Sequence, residues 1–220
     1  MTVALVTGAG RGLGAAIAAA LAARGLRVIV NYRSDRDSAE RVVADIIGAG
    51  GDAVAVRADV TDPADVDRLV SGVVADHGGL DVLVVNANTV QPPFAPLAGL
   101  SWAAFRDKVT GELAGAFHIV KRVLPHLGAG RIVFVGSTAA DYVGGGRLAH
   151  GIAKNALGVF ARHVAAETAR DGITVLTVAP GAVRTDASSA ILTEDRAALL
   201  AEQSVLGRVL EPADVAAAVA

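Results

Sequence analysis

The residues of this chain best suited to moving a proton are Ser137, His150 and Lys154. A hydroxyl can hold a reactant oxygen, and an imidazole exchanges protons near neutral pH. A lysine four residues after a histidine shares its face of a helix. That proximity has a cost: a second positive charge beside Lys154 is disfavoured, so the His150 pKa should fall and the neutral ring should be a poor acid. Tyr142, on the glycine-rich stretch Asp141–Gly146, offers a second donor or a ring that packs over a substrate. No spacing of His, Cys or acidic residues matches a metal site.

A second constellation lies near the amino terminus, in Thr7-Gly8-Ala9-Gly10-Arg11-Gly12-Leu13-Gly14. Glycines at these spacings let backbone approach a pyrophosphate, and a helix beginning at Gly12 would present free N–H groups and positive potential to it. The next apolar stretch ends Val30-Asn31-Tyr32-Arg33-Ser34, without the acid that takes ribose hydroxyls in NAD sites. Arg33 and Arg11 suit a 2′-phosphate, because planar guanidinium groups hold phosphate in a bidentate fashion. The cofactor expected is NADP rather than NAD.

The elements that must carry these residues follow from the hydropathy pattern. Val3–Thr7, Arg27–Asn31, Ala53–Arg57, Val82–Asn86, Arg131–Val135 and Thr174–Ala179 are mostly continuous apolar runs, as in strands buried on both faces. Helical stretches separate them at Gly12–Arg24, Asp35–Ala49, Pro63–Asp76, Ser101–Leu127 and His150–Arg170. Strict alternation predicts an α/β fold, a doubly wound parallel sheet in three layers with six strands, as one domain over residues 1–220. Ligands of such sheets lie beyond the carboxyl ends of the strands. The loops 88–99 and 180–205 leave such ends and are expected to border a substrate.

Together, the Thr7–Gly14 loop, Gly136-Ser137-Thr138 and His150-Gly-Ile-Ala-Lys154 resemble the classical short-chain dehydrogenase/reductase family, and within it 3-oxoacyl-carrier-protein reductase-like members. The resemblance implies a tyrosine where this chain has His150. By alignment through Leu113-Ala-Gly-Ala-Phe117, it implies an asparagine where this chain has Glu112. In that frame the serine orients the substrate oxygen, and the lysine holds the nicotinamide ribose and lowers the phenol pKa. Here Glu112 is expected to pair with His150 or Lys154, giving a Glu–His–Lys relay. Asp59 and Val60 match adenine contacts, and Asn86 and Ala87 match the segment after the fourth strand. Asn88 stands for a glycine there, at a position where asparagine tolerates positive φ. Pro180, Gly181, Val183 and Thr185 match the segment that meets the carboxamide. The family's seventh strand is not represented before Ala220.

Bulk properties narrow the remaining classes. The 220 residues carry a formal charge of −2, so nothing favours nucleic acid or an acidic membrane surface as partner. Cysteine is absent, which excludes disulfide and thiolate chemistry and agrees with a cytoplasmic location. No leader is evident at the amino terminus. The expected activity is NADP(H)-dependent reduction of a carbonyl, or oxidation of an alcohol, favoured at mildly acidic pH where imidazolium is available. The alternatives are a non-redox dehydratase, isomerase or cyclase, and a catalytically silent subunit. A homodimer or homotetramer is expected through the helices 101–127 and 150–170, using Phe117, Val120, Leu124, Leu157, Phe160 and Val164.

Overall fold

In the computed structural model, which describes residues 2–186, 188, 189 and 192–220, six parallel strands form one sheet. The strands are β1 (Val3–Val6), β2 (Arg27–Tyr32), β3 (Asp52–Arg57), β4 (Val82–Val85), β5 (Arg131–Val135) and β6 (Thr174–Val178). Their order is β3-β2-β1-β4-β5-β6, so the chain reverses direction across the sheet between β1 and β4. A crevice opens at such a point, because the loops leaving the two strands run to opposite sides.

Every residue of β1 and β4 is buried, for a reason visible in the pleat. Val3, Leu5, Leu83 and Val85 enter one hydrophobic layer, while Ala4, Val6, Val82 and Val84 enter the other. The first layer is closed by helices α3 (Pro63–His77), α4 (Trp102–Val123) and α5 (Leu148–Thr168). The second is closed by α1 (Gly12–Ala23), α2 (Arg36–Gly48) and α7 (Pro212–Val219). Alanine-rich α1 lies close to the sheet, with Ile17 and Ala18 fully buried.

Local chemistry sets the helix starts. Asp35, Asp62 and Ser101 accept hydrogen bonds from first-turn amides of α2, α3 and α4, at 3.0, 2.9 and 3.2 Å. Helix α1 has no side-chain cap, which leaves its first amides free. The expected loops are partly ordered into helix. A 3₁₀ turn occupies Leu97–Gly99, and α6 (Glu194–Glu202) fills much of 180–205. Thr193 caps α6 and two acids open it, a start signal that the loop assignment passed over. Ala187, Ala190 and Ile191 of that loop lie outside the described residues. No helix among the described residues is long and apolar enough to cross a membrane.

Most of the apolar residues expected at a subunit interface are used inside the molecule. Val120, Leu157 and Val164 are core residues, and Leu124 and Phe160 pack against the same core. Only Phe117 is exposed, at 47%. The 3.6-residue repeat marks the face that meets the sheet, and in sequence such a face reads the same as one that meets another subunit.

Candidate active site

A cleft of about 610 Å³ runs along the carboxyl ends of β1, β2, β4 and β5. Gly8, Arg11, Gly12, Leu13 and Gly14 line one end, with Arg33, Ser34, Asp59 and Val60 beside them. Asn86, Ala87 and Asn88 form its middle. Ser137, His150 and Lys154 line the other end, facing Pro180, Gly181, Val183 and Thr185. Two distant stretches of sequence thus meet in one space.

The glycine loop is shaped by close contacts. Gly8 and Gly12 have φ of 62° and 55°, the left-handed region that glycine enters at no steric cost. A β-carbon on Gly14 would stand 2.4 Å from the Gly8 carbonyl oxygen and 2.6 Å from Asn86 Nδ2. With the uncapped start of α1, this backbone presents free N–H groups and positive potential of the kind that suits an anionic diphosphate. Thr7, expected to touch a cofactor, is instead buried behind the loop. Its hydroxyl donates to Val84 O and accepts from the Asn86 and Ala87 amides. The Asn86 side chain donates to Thr7 O at 2.9 Å and Gly8 O at 3.2 Å, fastening β4 to the loop. Asn31 completes the frame, accepting from Gly8 N and donating to Ala58 O. Its burial gave no sequence signal beyond the missing acid.

Arg11, Arg33 and Ser34 share the glycine-loop end of the cleft with Asp35. The Arg33 guanidinium reaches across to donate to Thr89 O at 3.2 Å. Asp35 is occupied as the cap of α2, and hydrogen bonds from Ser38 hold its carboxyl below the usual carboxylate range.

Behind the end of the cleft lined by Ser137 and Lys154 lies a charged group that sequence reasoning missed. Lys108, fully buried on α4, donates to Glu112 Oε2 at 2.6 Å, and Lys154 on α5 meets Glu112 Oε1 at 2.7 Å. Lys108 also donates to Asn88 Oδ1 and Val90 O, and Lys154 to Val135 O. The signal was available: Lys108 and Glu112 stand four residues apart on one helix face. Burial alone would raise the Glu112 carboxyl pKa, but Lys154 and Lys108 outweigh it and hold the group ionised. Glu112 lies behind the cleft wall.

Four expectations meet the structure here. First, of the two partners expected for Glu112 the structure gives Lys154 and not His150, with Lys108 on the second carboxylate oxygen. Second, the His150 pKa is lowered to about 4, by burial first and then by Lys108 and Lys154. The fall is the one expected beside Lys154, and it leaves imidazolium scarce in mildly acidic solution, against the expected preference for that pH. Third, Tyr142 is 68% exposed and lines a separate apolar hollow of about 1010 Å³ on the outer side of α5. It follows a 3₁₀ turn, Thr138–Ala140, and its amide donates to Thr138 O at 3.0 Å. Fourth, no non-glycine residue has positive φ among the described residues, so Asn88 fits by an ordinary conformation, its side chain turned to Lys108.

His150 sits in the first turn of α5, with Phe94 edge-on at 6.1 Å between ring centroids. Its Nδ1 is buried with no hydrogen-bond partner among the described residues. A bare lone pair there, in the field of two ammonium groups, is favoured over an unpaired N–H dipole pointing the same way. The ring proton is thereby assigned to Nε2. Ser137 Oγ accepts from Ala139 N at 3.1 Å, which leaves its hydroxyl proton free to donate.

The sequence pattern of the family described as short chain dehydrogenase matches residues 2–196. Versicolorin reductase stcU of Emericella nidulans is 40% identical over 186 residues, covering 84% of this chain and 70% of that protein. The 3-oxoacyl-[acyl-carrier-protein] reductase FabG of Escherichia coli is 35% identical over 221 residues, covering 99% and 88%. A short chain dehydrogenase from Burkholderia cenocepacia, solved in complex with NADP, superposes with a TM-score of 0.89 at 33% identity, covering 99% of this chain and 88% of that one.

Proposed function

The chain belongs to the short-chain dehydrogenase family, and from that premise we propose that it is an NADP(H)-dependent oxidoreductase acting on a carbonyl or alcohol at the cleft between β1 and β4. The observation that carries the reading is the single cleft joining the glycine cradle to Ser137, His150 and Lys154. The residues fit the dinucleotide: the Gly8–Gly14 backbone and the α1 amides would take the diphosphate, and Lys154 a ribose. Arg11, Arg33 and Ser34 would take the 2′-phosphate. When bound, NADPH supplies a hydride to the carbonyl carbon.

What this chain adds is stabilisation of the oxygen. Ser137 Oγ–H and neutral His150 Nε2–H donate hydrogen bonds to the substrate oxygen as it becomes negative. His150 does not surrender its proton, since an imidazolate beside Glu112 would be far too basic. Water supplies the proton that completes the alcohol. The proton-abstracting alternative loses its base on this reading, because the His150 lone pair faces the protein interior. Pairing with a second copy is proposed through the outer face of α4 and α5, where Trp102, Phe117, Ile152 and Val159 are exposed.

The test is oxidation of NADPH, followed by absorbance, with a panel of ketones and quinones. The reading expects turnover that falls about 100-fold in His150→Ala, the scale of one lost oxyanion donor. NADPH binding with no oxidation across the panel would overturn it.

A further inference from the structure

Lys108 has no part in the cleft, yet it is the largest fully buried side chain of the molecule among the described residues. A lysine is buried to 0% only where its charge is matched. Here its three N–H donors meet three acceptors from two elements: Glu112 Oε2 on its own helix, and Asn88 Oδ1 and Val90 O on the segment after β4. Burial pulls its pKa below the ordinary lysine value, and Glu112 opposes the shift. The same helix face is bare of side chains where it meets that segment. A β-carbon on Gly111 would stand 2.8 Å from Val90 Cγ2, and one on Gly115 would stand 2.9 Å from Thr89 Cγ2. Close packing of α4 on residues 88–90 thus has one polar fastener, and it is Lys108.

We propose that Lys108 is a positioning residue of the reaction centre, turning the Glu112 carboxylate so that its other oxygen fixes Lys154, and tying the Asn88–Val90 lip of the cleft to α4. The geometry gives the reason. Glu112 divides its two oxygens between two ammonium groups, so the orientation that serves Lys154 is the one Lys108 holds. Val135 O is the only other acceptor Lys154 has among the described residues. Without Lys108 the carboxylate is free to rotate, and a buried acid with one cation fewer takes up a proton more readily. Either change loosens Lys154. The inference rests on the proposed function only for what Lys154 is used for.

The chain has three lysines, Lys108, Lys121 and Lys154, which makes the test direct. In protein labelled at lysine with nitrogen-15, Lys121 is exposed and serves as the internal reference. The side-chain ammonium protons of Lys154 should exchange slowly with water. In Lys108→Met they should exchange about tenfold faster, the effect of loosening one charge-assisted hydrogen bond. Because Lys108 acts through Glu112, the effect should vanish in a Glu112→Gln background: Glu112→Gln and Lys108→Met/Glu112→Gln should exchange alike. The double variant buries no unpaired carboxylate, so it tests the idea even if the single variant is poorly folded. Equal Lys154 exchange in wild type and Lys108→Met overturns the proposal. So does an undiminished effect of Lys108→Met in the Glu112→Gln background. None of this needs a bound ligand. Adding NADPH afterwards asks separately whether the Lys154 signal moves, and its failure to move would count against the proposed function alone.

Discussion

Acidifying the protein should cost it stability through His150, and replacing His150 with Gln should remove that cost. The folded-state pKa is depressed from 6.5 to about 4. Burial is the main cause, followed by Lys108 and Lys154, with Arg147 adding to them and Glu112 opposing. Between those two values the unfolded chain binds more protons than the folded one, so stability falls as the pH falls through that window. Taken at face value the shift is worth ~3.4 kcal/mol. The ring is half-buried and opens on the cleft, so solvent screening reduces this to roughly 1.5–2 kcal/mol. Glutamine keeps a polar side chain of similar reach but does not titrate. Urea unfolding of both proteins at about pH 7 and about pH 4.5 gives the comparison. Wild type should lose about 1–2 kcal/mol more than His150→Gln, since every other ionisable group is common to both proteins. Identical losses would refute the reasoning. So would an NMR titration of the His150 ring with a midpoint near 6.5, since that would require a ring much more open, or much further from both lysines, than it is here.

Three further outcomes follow from the cleft. Gly14→Ala should weaken NADPH binding by at least about tenfold in calorimetry and lower stability by roughly 1–3 kcal/mol, because its methyl overlaps the Gly8 carbonyl. Arg33→Ala should reduce NADPH affinity by about 10–100-fold, the worth of a charge-assisted phosphate contact, while leaving NADH affinity within about threefold. An equal loss for both cofactors would assign Arg33 to the Thr89 contact alone. Asn86→Ala removes two hydrogen bonds to the Thr7 and Gly8 carbonyls and should cost about 1–3 kcal/mol by thermal unfolding, with NADPH affinity falling as the loop loosens.

The inner strands β1, β2, β4 and β5 were legible because they are buried on both faces, which writes itself as continuous apolar runs such as Val-Leu-Val-Val in β4, whereas the edge strands β3 and β6 are largely half-buried or exposed. The glycine loop was legible for a different reason: Gly8 stands where a side chain would be strained by a left-handed backbone and crowd Ala87, and Gly14 where a side chain has no room. What escaped notice depends on which way a side chain turns. Thr7 lies within the loop motif, but its hydroxyl faces Val84 rather than the cleft. The helical repeat of Val120, Leu157 and Val164 reads the same whether the face meets the sheet or another subunit. Lys108 carries a charge, and charged residues are nearly always solvated. Only its relation to Glu112 marks it, and Glu112 itself emerged from alignment rather than from pattern.

A lysine next to an acid–base group has opposite uses depending on what that group is. Positive charge lowers the pKa of any neighbour by favouring its less positive form. For a phenol, whose ordinary pKa is about 10, this brings titration towards neutral pH and makes proton transfer easy. For an imidazole, which starts at about 6.5, the same push takes titration away from neutral pH. A centre that retains Lys154 and adds Lys108 is therefore badly tuned for a histidine that must give up a proton. It is well tuned for one that must remain neutral and point a single N–H at a reactant. Glu112 moderates the field without reversing it, because one carboxylate is shared between two ammonium groups. On this argument turnover, once cofactor is saturating, should be nearly flat from about pH 6 to pH 8, where imidazole does not change state. A rate that rises through that range with an apparent pKa near 7 would mean that a group other than His150 handles the proton.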